Sequence, residues 1–251
     1  MSTYAVADIH GQLNTFLAGL KAIEFSSEDY LYVLGDAVDR GPDGIKILQK
    51  IMAEANMDLI IGNHEFMMLN SVDPSGKNEW NGKDWDLWLF YNGGDKTFTQ
   101  YETLKKAERK ELLKWLNDRY VVMTMEVEGR KICLSHSYYK NGLENLKYKD
   151  MNYQDVWNIV WTSIYRDDFE TRGENIYGDY DYTFVTGHVP VQRIRKWIEV
   201  EEDFGCLKSF RKGNLIDIDG GCSFGEIDEV DNGLIFLRLE DMVEFPVPYV
   251  G

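Results

Sequence analysis

Positive charge is scarce in this chain: 27 Lys and Arg stand against 43 Asp and Glu, a formal net charge of −16 over 251 residues. No Lys/Arg stripe offsets the repulsion from a phosphate backbone, so nucleic acid is not an expected partner. A small phosphorylated substrate stays open, because divalent cations would reverse the field of a carboxylate-lined site. Cysteine is equally sparse. Cys133, Cys206 and Cys222 are odd in number, far apart and without a CxxC pair, which argues against a disulfide framework or zinc finger and fits a reducing compartment. No segment approaches the ~18 apolar residues of a membrane span. The first apolar run begins at Tyr4, which leaves no room for a signal peptide. The expectation is a cytoplasmic protein with no membrane partner, taken as a monomer. Hydrophobic content of 44% with 28% charged residues is ordinary for a globular protein, and the length suits one α/β domain over residues 1–251.

Histidine is rare as well, and its placement is informative. The chain has four, and each follows an apolar run: Asp8-Ile9-His10-Gly11 after Tyr4 to Ala7, Gly62-Asn63-His64-Glu65 after Leu59 to Ile61, Ser135-His136-Ser137 after Lys131 to Leu134, and Gly187-His188 after Thr183 to Thr186. One histidine at a strand end is usually a satisfied structural residue. Four at equivalent places point to one convergent site. A fifth stretch, Leu34-Gly35-Asp36-Ala37-Val38-Asp39-Arg40-Gly41, follows the run Tyr30 to Leu34 and puts two carboxylates and a guanidinium on one strand-to-helix turn.

Between these stretches the apolar spacing is helical. Leu13, Phe16, Leu17 and Leu20 make one face, Ile45, Leu48, Ile51, Met52 and Ala55 a second, and Glu65 to Leu69 a short third helix. Strand and helix alternate, which predicts a largely parallel sheet. Residues Asn70 to Asn117 read as mostly helical, and Trp80, Trp85 and Trp88 read as core aromatics rather than a ligand box. Tyr120 to Val127 and Lys131 to Leu134, joined by Glu128-Gly129-Arg130, form a hairpin, so antiparallel strands enter here. Val156, Trp157, Val160 and Ile164 mark another helix; Arg166 to Tyr182 reads as a long acidic, aromatic loop; strands follow at Asn214 to Ile218, Leu234 to Leu239 and Met242 to Val247. Cys133 lies in an apolar strand and Cys222 follows Gly220-Gly221; both are read as packing residues.

Two divalent cations ~3.5–4 Å apart can hold a phosphate and generate a nucleophile near neutral pH if a carboxylate bridges them. Asp8 and His10, two positions apart on a strand end, would point to one side and share a metal. Asp36 could bridge, and Asn63, His136 and His188 could complete the second site. This mixed N/O shell suits Mn, Fe or Zn rather than calcium. His64 is left over for proton transfer, with Asp39 able to fix its tautomer and raise its basicity. Arg40 offers a planar fork for phosphate oxygens.

Together, Asp8-Ile9-His10-Gly11, the GDAVDRG from Gly35, the GNHE from Gly62, His136 and Gly187-His188 resemble the signature of the phosphoprotein phosphatase (PPP) family of metallophosphoesterases. The compact length, Asn92-Gly93-Gly94, Tyr138 and Ile216-Asp217-Ile218-Asp219-Gly220 are more similar to its bacterial and bacteriophage-lambda-type serine/threonine phosphatases. The resemblance covers Tyr4 to about Leu239. It implies an α/β fold, a four-layer α/β/β/α sandwich of the calcineurin-like kind, with two divalent ions, Mn2+ first and Fe or Zn as alternatives. By the same resemblance Asp8, His10 and Asp36 hold the first ion, and Asp36, Asn63, His136 and His188 the second. His64 is then the general acid supported by Asp39, and Arg40 and Asn63 bind phosphate. One departure stands out: the family's second phosphate-binding Arg comes shortly after a Trp, whereas Trp161 is followed by Thr162-Ser163-Ile164-Tyr165 and only then Arg166. Arg166 is the candidate for that clamp, or else a surface partner of Asp167, Asp168 or Glu170. The expected activity is a phosphomonoesterase acting on phosphorylated protein or small phosphomonoesters. The alternatives are symmetrical hydrolysis of a dinucleoside polyphosphate such as diadenosine tetraphosphate, and a non-catalytic binding module on the same fold.

Overall fold

A computed structural model of the chain describes residues 1–79, 82–165, 177–199, 203–227 and 229–251. Its strands form two five-stranded mixed sheets. In the first, β1 (Thr3–Val6), β2 (Tyr30–Val33) and β3 (Met57–Leu59) are parallel, linked by α1 (Leu13–Ala22) and α2 (Gly44–Ala53). The second begins after α3 (Asn63–Leu69), a turn of π-helix at Leu87–Tyr91, α4 (Asp95–Thr103) and α5 (Lys106–Asn117). There β4 (Val122–Val127) and β5 (Arg130–Ser135) make the expected hairpin, turning on Glu128 and Gly129, both at positive φ. That is the backbone a tight hairpin demands. After α6 (Tyr153–Trp161), β6 (Thr183–Thr186) pairs parallel with β5. Beyond α7 (Val191–Trp197), β7 (Phe210–Lys212) and β8 (Leu215–Asp217) complete this sheet, with β8 parallel to β6. The chain then returns, and β9 (Gly233–Arg238) and β10 (Glu244–Pro248) add antiparallel strands to the first sheet.

The two mixed sheets and their helices form the α/β sandwich that the sequence resemblance implies. Both faces of the two sheets are apolar and buried: the consecutive residues Ala5 and Val6, and Phe184 and Val185, point to opposite sides of their strands and are all fully buried, as are Leu31, Val33, Ile132 and Leu134. In α1, Phe16 packs parallel to Phe236, with ring centroids 6.4 Å apart. The predicted apolar face of this helix is corrected at one position: Leu17 is exposed, and the contact is made instead through Gly19, where a Cβ would collide with the Phe236 ring. Tyr120 lies just before β4 rather than in it, and bridges to Ile60 and Lys147. Trp85 and Trp88 pack edge-on against Phe98, as core aromatics should. Trp80, Arg166 and the first part of the predicted 166–182 loop lie outside the described residues. No helix of the described residues is long and apolar enough to cross a membrane.

All of the parallel strands point their carboxyl ends the same way, toward the seam between the sheets. The loops there are stitched together by backbone hydrogen bonds: His10 N to Asp36 O at 2.8 Å, Gly11 N to Ala37 O at 2.9 Å, Ile61 N to Tyr120 O at 2.9 Å and Gly187 N to His136 O at 2.8 Å. Open α/β sheets place ligands at such carboxyl-end crevices.

Candidate metal centre and phosphate site

Every motif histidine arrives at this seam. His10 follows β1, Asp36, Asp39 and Arg40 follow β2, Asn63 and His64 open α3, His136 follows β5 and His188 follows β6. The backbone is bent to deliver them: Asp8, His10, Asp36, Asp39, Arg40 and His188 all have positive φ, between 48° and 78°. Non-glycine residues pay for that conformation, and such strain concentrates at functional sites. It also corrects the strand argument for Asp8 and His10. Strand β1 stops at Val6, so those two side chains meet because both residues are in the left-handed region, not because of strand alternation.

Two donor sets share Asp36. One is His10, Asp36 and His64, and the other is Asp36, His136 and His188, each with donor atoms within 4.8 Å of one another. His10 Nε2 lies 3.6 Å from Asp36 Oδ2 and 3.9 Å from Asp8 Oδ1, and the latter oxygen is buried without a hydrogen-bond partner. On the other side, Asn63 Oδ1, His136 Nε2 and His188 Nδ1 converge at 2.8 to 3.1 Å from one another. Tautomers are set from behind: the far ring nitrogens of His10 and His136 face the carbonyls of Val38, at 3.0 Å, and Leu34, at 2.8 Å. Each ring therefore donates Nδ1–H outward and turns a lone pair inward. Lone pairs and carboxylate oxygens aimed at one point, with an orphaned buried oxygen among them, are what a cation resolves. The residues present thus fit a dinuclear divalent site, and the mixed N/O donors fit Mn, Fe or Zn.

Electrostatics supports the same reading. Burial, and then the charges of Asp219 and Asp36, hold the Asp8 carboxyl well above the usual range. Burial depresses His10 strongly and pushes His136 and His188 down to about 3, so the rings stay neutral. A cluster in which neither the Asp8 carboxyl nor the imidazoles favour charge is poised for external cations.

His64 differs from the other three. Its Nδ1 sits 2.6 Å from Asp39 Oδ2, and Asp39 is wholly buried. Its Nε2 lies 3.6 Å from Asp36 Oδ2, which would permit a ligand role, but it also accepts from Arg40 Nη2 at 3.1 Å. A guanidinium on that nitrogen competes with a metal ion for its lone pair. Burial, partly opposed by Asp36, takes its pKa down to about 4. Arg40 also donates to Ser223 Oγ at 3.1 Å. Arg166, expected as a second phosphate clamp, lies outside the described residues.

Supporting residues emerge that the sequence reading passed over. Trp88, read as packing, also donates Nε1–H to Asp39 Oδ2 at 2.8 Å. Thr97 Oγ1 accepts from Asp39 N at 2.8 Å. Glu65 takes hydrogen bonds from the backbone N–H groups of Asp36, at 2.9 Å, Ala37, at 2.8 Å, and Gly62, at 3.1 Å. It thereby ties the β2 and β3 loops together. Only Glu65 left a legible signal, since a Glu three residues past the residue before a helix commonly caps it. For Trp88 nothing in the spacing separates a core indole from a donor.

The family profile described as calcineurin-like phosphoesterase matches residues 1–218. The chain belongs to this family. Calcineurin-like phosphoesterases use divalent metals, in keeping with the donor cluster. Among curated relatives, a symmetrical bis(5'-nucleosyl)-tetraphosphatase of Erwinia tasmaniensis is 29% identical over 139 residues, 55% of this chain and 44% of that protein. One of the same name from Wigglesworthia glossinidia brevipalpis is 38% identical over 71 residues, 28% of this chain and 26% of that one. The match thus spans less than half of either relative. Solved structures share the fold: one provisionally named a diadenosine tetraphosphatase has a TM-score of 0.60 at 15% identity, covering 99% of this chain and 94% of that one. A metallophosphoesterase from Sphaerobacter thermophilus has a TM-score of 0.55 at 14% identity, covering 100% and 90%. A cold-active protein tyrosine phosphatase has 0.52 at 16% identity, covering 98% and 78%.

Proposed function

We propose that this calcineurin-like phosphoesterase is a metal-dependent hydrolase that cleaves symmetrical dinucleoside tetraphosphates into two nucleoside diphosphates. The observation that supports phosphoryl-transfer chemistry is the pair of donor sets sharing Asp36, in one of which His64 is also held through Nδ1 by Asp39 and through Nε2 by Arg40. The names of the curated relatives support the choice of substrate. Asp8, His10 and Asp36 would hold one divalent ion, and Asp36, Asn63, His136 and His188 the other. When bound, the two ions supply Lewis acidity and a water activated near neutral pH.

The chain's own residues do the rest. Arg40, now resting on His64 Nε2 and Ser223, turns its fork onto the phosphate oxygens, as does the Asn63 amide beside it. That movement uncovers Nε2 and removes the positive neighbour that opposes its protonation. Nε2, now free, takes up a proton from solvent, and His64 gives that proton to the departing oxygen while Asp39 accepts from Nδ1–H and stabilises the imidazolium. Trp88 keeps Asp39 ionised and aimed.

A phosphomonoesterase acting on phosphorylated protein, the first expectation from the sequence, is the second reading. The observation in its favour is the same acid: a serine alkoxide needs a proton to leave, whereas a nucleoside diphosphate departs with less help. Comparing kcat/KM for diadenosine tetraphosphate with that for a phosphoserine peptide, in protein loaded with Mn2+, decides between them. The first reading expects a dinucleotide preference of ~100-fold or more, about 2.7 kcal/mol in transition-state binding. An equal or reversed preference transfers the assignment to the monoesterase.

A further inference from the structure

Beyond Arg40, the rim of the site continues through residues that the proposed chemistry does not use. Ser223, which accepts from Arg40, and Phe224 lie in one short turn, Cys222–Phe224, bracketed by Gly221 and Gly225, both at positive φ. Phe224 is 42% exposed, which is unusual for a large aromatic in a tight turn. Over its ring lies the Arg193 guanidinium, 5.4 Å from the centroid, and the same cation is 5.9 Å from the Trp197 ring. That guanidinium forms no hydrogen bond or ion pair with another described residue. In a chain of net charge −16, an exposed arginine that rests on aromatic faces and acts on Asp219 only at a distance, without an ion pair to a described carboxylate, is a cation left available.

Its position is fixed. Val191 N donates to Asp219 O at 2.9 Å, and Gln192 Nε2 donates to Gly220 O at 3.2 Å and to Asp231 O at 2.8 Å. The first turn of α7 is thereby pinned to the segment that carries Ser223 and Phe224. Guanidinium, hydroxyl, aromatic ring and second guanidinium follow one another along a single edge. Ser223 and Phe224 are adjacent in sequence, about 3.8 Å between successive Cα atoms, so the Arg40–Ser223 contact and the Phe224–Arg193 contact neighbour one another on the rim.

We propose that Arg193 and Phe224 form a second substrate subsite, in which Arg193 receives the phosphate next to the one at Arg40 and the open face of Phe224 stacks the nucleobase. This inference rests on the dinucleotide reading of the site and names the residues that would enforce it. A phosphorylated serine has neither a second phosphate nor a base to place there, so the subsite selects nucleoside diphosphate halves over monoesters. Arginine and aromatic faces are the side chains best suited to that pairing.

The test is calorimetric binding of adenosine diphosphate and of inorganic phosphate to the Mn2+-loaded protein. The wild type is expected to bind the nucleotide more tightly. Arg193→Ala should weaken it by about 10-fold or more, the scale of one charge-assisted contact, while phosphate affinity moves by less than about twofold. Arg193→Lys should recover part of the loss, and Phe224→Ala should weaken the nucleotide selectively whereas Phe224→Trp should not. Both positions are exposed, so the fold tolerates these changes, and a melt on each variant checks it. A wild type that binds adenosine diphosphate no better than phosphate overturns the subsite, as does a nucleotide-to-phosphate ratio that Arg193→Ala and Phe224→Ala leave unchanged. Turnover separates the two claims. Arg193-dependent nucleotide binding without cleavage of diadenosine tetraphosphate sinks the substrate assignment alone, and cleavage without Arg193-dependent binding sinks the subsite alone.

Discussion

Trp88→Phe separates support of the acid from packing. The indole is fully buried, and its Nε1 donates at 2.8 Å to the same Asp39 oxygen that His64 Nδ1 approaches at 2.6 Å. Phenylalanine keeps much of the ring and deletes the donor. Burial already pushes the Asp39 carboxyl up to about 7, with the hydrogen bonds from Thr97 and Trp88 pulling the other way. Removing one of them raises that pKa further. Less Asp39 is then ionised at neutral pH, and the protonated form of His64 loses its counter-charge. A hydrogen bond to a charged group is worth about 1.5–3 kcal/mol. At 1.36 kcal/mol per decade, that bounds the loss in kcat/KM for an alkyl phosphate at roughly 10- to 100-fold. An aryl phosphate, whose phenolate leaves without a proton, should lose far less, and the acid limb of the alkyl pH profile should move to higher pH. The ratio of the two rates is the readout, because simple destabilisation lowers both together. Equal losses for alkyl and aryl substrates, or no loss in either, would refute the role given to Trp88.

His64→Asn should keep both metal ions by elemental analysis while slowing alkyl phosphates by roughly 10²–10⁴ and aryl phosphates less; a metal site emptied by this change would make His64 a ligand. Glu65→Gln leaves one of the three backbone N–H contacts at Asp36, Ala37 and Gly62 facing a donor, and should cost about 1–3 kcal/mol in a denaturant titration. A Cβ at Gly62 would meet Asp36 Oδ1 and Asp36 N, so Gly62→Ala should reduce both stability and metal affinity, read by melting with and without Mn2+. Stripping metal from the wild type with a chelator should lower the melting temperature, since an ion at about 100 times its Kd contributes about 2.7 kcal/mol.

Much of the site could be read from residue types, because rare histidines placed after apolar runs leave few alternatives to convergence. Asp8, His10, Asp36, Asn63, His136 and His188 do meet. The reason first given for Asp8 and His10 was nevertheless wrong, since periodicity cannot anticipate left-handed backbone beyond a strand end. The parallel strands and the β4–β5 hairpin followed from alternation and turn chemistry. Leu17 did not fit its helix face, because the close approach of Gly19 to Phe236 reset which side of α1 is buried. Trp88 and Glu65 escaped notice as site residues for a common reason: their partners, Asp39 and the Asp36–Ala37 backbone, are distant in sequence and only folding brings them together. Substrate choice was the least legible. In the subsite proposed above it rests on Arg193 and Phe224, which show no motif spacing in the sequence.

The central claim is that the seam between the two sheets is a dinuclear phosphoesterase site. Titrating Mn2+ into chelator-treated protein, with phosphate or nucleotide release followed in parallel, tests it most directly. Two ions bound per chain, with turnover rising as the pair fills and with His136→Asn and His188→Asn abolishing one of them, is the expected result. Protein that binds no Mn2+, Fe or Zn at these residues, or that turns over phosphoesters equally well without metal, would contradict it.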